Sequence, residues 1–518
     1  MLGALILQQM LDLSDKEVQG QIAFDDRWRY ALDITDHSDE SGYICEKTVW
    51  TYRQMVIEED LYSILFDGLT DALRTAFDVD TDTQRLDSTH VQSNMRKLGR
   101  IRIFAETIRK FLSNLKRQHR DLFDSHIQEQ IKERYLAKEN AGCFSQVKPS
   151  ETAKTLQQLS KDLFYLVEHF KDNESVCRMN SYQLMQRVLE EQCTVNRSDD
   201  DEPEITVKDS KDVPSDSLQN PSDPDAGYSP HKGQGYSAQL LETCNRKKDI
   251  PEEEKQLQLD LFTYADATPA HVRDSGAVEQ AIEETESRNC KPKELDADSA
   301  YGGDDNVQTA SEHDVELVAP VHCTDGTKGF GIKDFECDQE TGTVTACPQG
   351  HTAIDRYRTP KGRLVSRFDR TLCHTCPQRD QCPVIIRKAS ASLYYTDKQF
   401  RLALRRQYEE TEEFRERYRW RAGIEASNSR LKSQTGAGRL RYRGLKNVRY
   451  AIKLKALGLN ILRAARVYKA RNRRQNIEKS VSGLFYKLFF IFRPHFSVQV
   501  KNIFSKNIFG LFRPVLAC

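Results

Sequence analysis

The sequence predicts an α+β or α/β fold: a mixed sheet with flanking helices, preceded by a helical N-terminal domain and interrupted by a cysteine-containing, β-rich insertion. Three observations carry that prediction. Apolar residues recur at helical spacing through most of the first 80 residues and again from about 101 to 192. Between 235 and 298, strand-like segments flank a helix-like stretch, the pattern of an α/β unit. From 323 to 400 Cys, Gly, Thr and Pro replace the helix formers, and a long basic helical segment then follows. With 518 residues there is room for roughly three domain-sized units. A hydrophobic content of 38% and a charged content of 30% suit a globular protein. The longest uncharged apolar runs, Leu2 to Leu7 and Leu488 to Phe492, fall far short of the ~20 residues a membrane helix needs. Met1-Leu2-Gly3 has no basic n-region, so a cytoplasmic protein with no membrane partner is expected.

Along the chain, residues 1–80 read as helical. Leu2, Leu5, Ile6, Met10 and Leu13 mark one stripe, and Ser14-Asp-Lys-Glu17 forms a capping-box pattern opening a second helix. Such a pair is a candidate helix-turn-helix. Trp28 and Trp50 are expected in the core. Residues 81–100 hold a short strand with Asp87 at its end, in Leu86-Asp-Ser-Thr-His90. The helical insertion 101–197 shows one face at Ile103, Ile108, Phe111, Leu112 and Leu115, and another at Leu156, Leu159, Leu163 and Leu166. Residues 198–222 read as an acidic linker, because 198–225 holds ten acids, two lysines, four prolines and no aromatic residue. Within 223–322, strands are expected at Gly235–Thr243, Leu257–Ala265, Glu294–Asp298 and Val315–Val321, with a helix at Ser275–Glu286. The cysteine-rich insertion spans 323–400 and basic helices span 401–475. Residues 476–518 form an aromatic-rich tail to which no role is assigned.

A net charge of −1 conceals strongly unlike regions. Residues 417–475 carry eighteen Lys/Arg and a single acid, Glu425. A solvated basic helix pair normally interleaves Glu with Lys; the absence of that interleaving points to a polyanionic partner. Of thirteen cysteines, nine are scattered like reduced thiols. Four form Cys347-x25-Cys373-x2-Cys376-x5-Cys382, a spacing that can present thiolates to one tetrahedral Zn²⁺, with His351 and His374 as substitute ligands. The alternative is a set of reduced thiols in a small β insertion.

Cutting or joining DNA with a divalent metal requires carboxylates that converge, because hard Mg²⁺ or Mn²⁺ takes oxygen ligands. Asp87 and either Asp296 or Asp298 sit at strand ends, where an acid is often just a turn or cap residue. Asp296 and Asp298 share a face at period two, so spacing does not choose between them. Glu425 is an i,i+4 partner for Arg421. It also lies with Tyr418, Arg421 and Lys432 at helical offsets, a stripe too polar for a core face and suited to a carboxylate flanked by phosphate-gripping cations.

Tyr418-x2-Arg421-x3-Glu425-x6-Lys432 resembles the YREK signature of DDE transposases from bacterial insertion sequences. Leu86-Asp-Ser-Thr-His-Val-Gln-Ser-Asn94, Ser222-Asp-Pro-Asp-Ala226, Gly235-Tyr236, Ala297-Asp-Ser-Ala-Tyr301 and Arg441-Tyr-Arg-Gly444 are similar to stretches of the same group, over roughly residues 5–470. The resemblance implies an RNase H-like core with the triad Asp87, Asp298 and Glu425. It favours Asp298 over Asp296 because the family's acid directly precedes the Ser/Gly-Ala-Tyr turn. It further implies Mg²⁺ or Mn²⁺ on those three acids, hydrolysis of the phosphodiester at each element end, and attack of the freed 3′-OH on target DNA. Tyr418, Arg421 and Lys432 would position the ends, while Arg439, Arg441, Arg443 and Lys446 follow the backbone. The implied partners are double-stranded DNA, both terminal inverted repeats and target, and a second copy in a synaptic homodimer at the nucleoid. The related transposases carry similar cysteines, so structural Zn²⁺ at Cys347, Cys373, Cys376 and Cys382 belongs to the same expectation. His90 and Asn94 either approach the metal site or cap the next helix. Two rivals remain: an RNase H-like nuclease without strand transfer, and a decayed copy that binds ends without cutting.

Overall fold

The computed structural model describes residues 1–474 apart from 37, 39–41, 137–146, 197–202, 247–250, 252–253, 255–256 and 323–328. The aromatic-rich tail at 476–518 lies outside the described residues.

The chain opens with helices α1 (Leu2–Met10), α2 (Asp15–Phe24), α3 (Glu46–Glu58) and α4 (Leu61–Phe77). The capping box forms as spaced: the Glu17 amide donates to Ser14 Oγ at 3.2 Å, and the Ser14 amide donates to the Glu17 carboxylate at 2.7 Å. Trp28 is buried, but Trp50 is 51% exposed. On α3 the inward stripe belongs to Val49, Arg53, Val56 and Ile57, so position 50 is left facing outward.

Strand β1 (Thr83–Val91) follows, then the helical insertion with α5 (Arg100–Gln118), α6 (Thr152–Phe170) and α7 (Asn180–Gln192). Its core joins Phe104, Phe111 and Leu115 to Leu163, Leu166 and Tyr182. The acidic stretch is more structured than its composition suggested. Glu204–Val207 pairs antiparallel with Cys193–Asn196, and Leu218 is buried in the helical insertion. Asp223, fully buried, accepts from the Tyr236 hydroxyl at 2.6 Å and from the Gly444 amide at 2.9 Å. A buried acid supplied with donors costs far less than the same acid left alone, and composition cannot count donors.

The sheet is completed by β2 (Gly233–Thr243), β3 (Phe262–Pro269), β4 (Glu294–Ala297) and β5 (Glu316–Val318), with α8 (Ala277–Ser287) between β3 and β4 and α9 (Asp304–Glu312) between β4 and β5. Spatial order is β3–β2–β1–β4–β5, with a short strand Gly227–Ser229 on the start of β2. β1 runs antiparallel to β2 and parallel to β4; β4 and β5 are also parallel. The strand expected at Leu257–Ala265 begins later, at Phe262, because Leu259 and Leu261 pack instead with Leu73, Phe77 and Ala464.

Inside the insertion, β6 (Asp355–Arg358), β7 (Leu364–Phe368), β8 (Ile385–Ile386) and β9 (Ala391–Tyr395) form an antiparallel sheet in the order β6–β7–β9–β8. It has its own core around Phe335, Phe368, Leu393 and Tyr395. The chain then runs through α10 (Asp397–Glu409), α11 (Glu412–Tyr418), α12 (Gly423–Thr435) and α13 (Leu445–Arg474). α13 unites the molecule. Its Leu454 and Leu457 share one core with Leu5 and Ile6 of α1, Leu240 and Phe262 of the sheet, and Leu431 of α12. Gly458 permits this approach, since a Cβ there would lie 2.7 Å from Met10 Cβ.

Candidate active site

Parallel pairing of β1 with β4 sets Leu86 opposite Ala297, so Asp87, in the middle of β1 and not at its end as expected, lies near Asp298, which directly follows the last residue of β4. Asp298 Oδ1 accepts from the Ala300 amide at 2.8 Å, holding the turn after β4. Asp296, by contrast, is fully buried and paired with Arg246. Glu425 lies in the first turn of α12 with its side chain 62% exposed.

A single guanidinium ties the acids together. Arg421 Nη1 donates to Glu425 Oε1 at 2.9 Å, and its Nη2 lies 3.5 Å from Asp87 Oδ1 and 4.0 Å from Asp298 Oδ2. The expected continuous helical stripe through Tyr418, Arg421, Glu425 and Lys432 does not form. Tyr418 ends α11, Arg421 sits in a 3₁₀ turn at Arg419–Ala422, and Glu425 and Lys432 belong to α12. The reason lies beneath the turn. Arg85 donates to the Trp420 carbonyl at 3.1 Å, and a Cβ on Gly423 would fall 2.1 Å from Arg85 Nη1, so the backbone crosses over this guanidinium at a glycine. Arg85 is itself held by Glu242, which is fully buried and also accepts from Arg463 and from Ser427 of α12, both at 2.6 Å.

Burial pushes the Asp87 carboxyl up to about 6; Arg421 opposes this, while Asp298 and Glu425 add to it. Asn428 Nδ2 donates to Asp87 Oδ2 at 3.0 Å, while Asn428 Oδ1 is buried without a hydrogen-bond partner among the described residues. An open groove of about 590 Å³ runs past Asp87, Ser88, Glu425, Asn428 and Lys432. Three carboxylates and an orphaned amide oxygen are the hard donors a divalent cation prefers. Among the described residues, however, no three His, Cys, Asp or Glu side chains are already gathered closely enough to hold an ion.

Tyr418 stacks on Phe414, with ring centroids 5.4 Å apart. Arg439, Arg441, Arg443 and Lys446 are exposed around the connection from α12 to α13. Three of them also brace the fold through main-chain carbonyls: Arg441 at Asp12 (2.8 Å), Arg443 at Asn94, and Lys446 at Glu58 (3.4 Å). Asn94 is thereby tied to this connection, and its amide donates to the Tyr442 carbonyl at 2.9 Å. Arg85, Glu242 and Asn428 escaped the sequence reading. The available signals were position i−2 from Asp87 on the strand for Arg85 and i+3 from Glu425 on the helix for Asn428.

In the insertion, Cys347 follows the strand Thr343–Ala346, Cys373 rides the short helix Arg370–His374, and Cys382 follows the turn Arg379–Gln381. Burial pushes the Cys373 thiol up to about 11, with further contributions from Cys382, Cys347 and Cys376, so the four sulfurs share one neighbourhood.

A family model described as a transposase DDE domain matches residues 346–465. The match takes in the four clustered cysteines, the YREK-like residues and most of α13, and supports a DDE transposase; Asp87 and Asp298 lie outside it. No curated protein and no solved structure matches the chain. Among the described residues no helix is long and apolar enough to cross a membrane.

Proposed function

We propose that this protein is a DDE transposase of the YREK-bearing insertion-sequence type, built on an RNase H-like core, which cleaves the ends of its element and joins the freed 3′-OH ends to target DNA. The observation that carries this reading is Arg421, whose guanidinium reaches Asp87, Asp298 and Glu425 at 3.5, 4.0 and 2.9 Å. Three acids from distant parts of the chain thus make one anionic site beside a groove, flanked by a segment almost devoid of other acids.

Asp87, Asp298 and Glu425 would hold Mg²⁺ or Mn²⁺, which when bound supplies Lewis-acid stabilisation of the oxygens that attack and leave phosphorus. Asn428 orients Asp87 by donating to it. Arg85 and Glu242 hold the turn before α12 and so set where Glu425 projects. Arg421 and Lys432 grip phosphates next to the scissile bond, with Arg's fork suited to two oxygens at once. Tyr418, stiffened by Phe414, positions the end, and Arg439, Arg441, Arg443 and Lys446 follow the duplex backbone. Two ends cut and joined in concert call for a homodimer, working at the nucleoid. Cys347, Cys373, Cys376 and Cys382 would hold a structural Zn²⁺ once drawn together around it.

The test is cleavage of a labelled duplex carrying the element's terminal repeats, with Mg²⁺ or Mn²⁺, wild type beside Glu425→Gln. Metal-dependent nicking at the repeat boundary should vanish in the variant while DNA binding persists; nicking that survives the substitution refutes the assignment. A pre-cut end that is never joined to target would reduce the function to a nuclease. Binding without nicking in either protein would mark a decayed copy.

A further inference from the structure

Beside the acidic groove, three lysines from three separate segments lie in the surroundings of one imidazole. His90 lies near the end of β1, and both its ring nitrogens are buried without a hydrogen-bond partner among the described residues. The ring fits against the backbone of β2 because position 235 is glycine, at φ +143°, where a Cβ would lie 3.0 Å from His90 Cε1. Lys232, in the turn leading into β2, donates to Ser88 Oγ at 2.9 Å and to Asp274 Oδ2 at 2.8 Å. Lys97, from the exposed stretch after β1, brings its Nζ to 3.9 Å from where a Cβ on Gly233 would sit. Lys432 of α12 lines the groove beside Ser88, the residue to which Lys232 donates.

Burial, then Lys432, Lys232 and Lys97, hold the imidazole below its ordinary value against an opposing contact from the Gln234 backbone; Lys432 is itself lowered by burial and by Lys232, with Asp87 opposing. Asp274 answers one of the three charges. Lys97 and Lys432 form no ion pair with a carboxylate among the described residues, although the Asp87 charge acts on Lys432. Like charges that outnumber the acids beside them are unfavourable until an anion arrives.

We propose that His90, Lys97 and Lys232, together with Lys432, form a subsite for a phosphodiester of the DNA backbone, one that lies beyond the phosphate undergoing reaction. The inference rests on the transposase reading above. Lys432 and Ser88 line both the subsite and the acidic groove, so a strand lying along the groove places a neighbouring phosphate here. A polynucleotide is favoured over a free anion because the two sites are continuous and open.

The test is fluorescence-anisotropy titration of a short duplex in EDTA, which removes any metal contribution, across a series of salt concentrations. Each phosphate contact adds about 0.9 to the slope of log K against log salt. Lys97→Gln with Lys232→Gln should therefore flatten the slope by about 0.9, the share of that one phosphate, and weaken binding about tenfold near 0.1 M salt. Lys97→Gln alone, at an exposed position, should give about half that slope change with the fold intact. Unchanged affinity and slope in both variants, with the wild type binding normally, overturns the subsite and leaves the transposase reading standing. A wild type that binds no duplex removes both. Inorganic phosphate that displaces DNA no better than chloride of matched ionic strength supports the backbone assignment. Specific phosphate binding lost in the variants, with DNA affinity unaltered, reassigns the site to a free anion and overturns it.

Discussion

Glu242→Gln tests whether the site is held from beneath. The glutamate is fully buried, accepts from Arg85 Nε at 2.7 Å, and receives Arg463 Nη1 and Ser427 Oγ at 2.6 Å each. Glutamine keeps the shape but removes the charge. Two guanidinium groups, 9% and 11% exposed, then remain protonated in the interior without their counter-ion. Breaking a buried pair in this way costs about 3–5 kcal/mol. The low end is expected here because a second acid stands nearby. Asp260 is pushed up to about 6 by burial and by the Glu242 charge, and with that charge gone it ionises more readily and answers part of the deficit. Urea unfolding followed by tryptophan fluorescence should therefore show a loss of about 3 kcal/mol near pH 8, growing in more acidic solution once Asp260, now easier to ionise than in the wild type, takes up its proton. Cleavage should fall more than stability does. Ser427 and the Trp420 carbonyl tie this cluster to the turn that aims Glu425, and a displacement of about 1 Å at a reacting group can cost on the order of 10²-fold. A stability change under about 1 kcal/mol with unaltered cleavage would refute the bracing role.

Three other outcomes are expected. Because the fold raises the Asp87 carboxyl to about 6, the folded protein holds that proton more tightly than the unfolded chain does; this contribution is fully present below the unfolded value of 3.8 and is lost as pH rises through 6. Asp87→Asn should thus raise the melting temperature at pH 8 and leave it unchanged at pH 3, whereas Mn²⁺ affinity of the wild type, measured by calorimetry, should drop as pH falls below about 6. Gly423→Ala, which sets a methyl 2.1 Å from Arg85 Nη1, should cost about 1–3 kcal/mol and depress nicking with DNA binding retained; full nicking would show that the close approach is dispensable. Elemental analysis should find about one zinc per chain, lost on joint Cys373→Ser and Cys376→Ser substitution, and a metal-free wild type whose melting is indifferent to chelator would dismiss the zinc site.

Periodicity made much of the scaffold legible. The stripe Ile103, Ile108, Phe111, Leu112 and Leu115 is buried along α5, and the second strand and the helix after the third fall within two residues of where composition placed them. These features follow from spacing along a helix or strand, which neighbouring residues determine. The acidic stretch, Trp50 and the late start of β3 depart from the pattern of their own segments because each depends on which distant partner a residue meets. The site divides in the same way. Residue types and spacing around Glu425, and the basic surroundings that single it out, can be read from consecutive residues. The break before α12, the separation of Asp296 from Asp298, and the placing of one guanidinium among three acids required β1 to lie parallel to β4 and Arg85 to lie beneath Gly423. Local sequence sets what each segment can present; which charges meet is decided by strand pairing and burial, since a carboxylate's environment is made by residues hundreds of positions away.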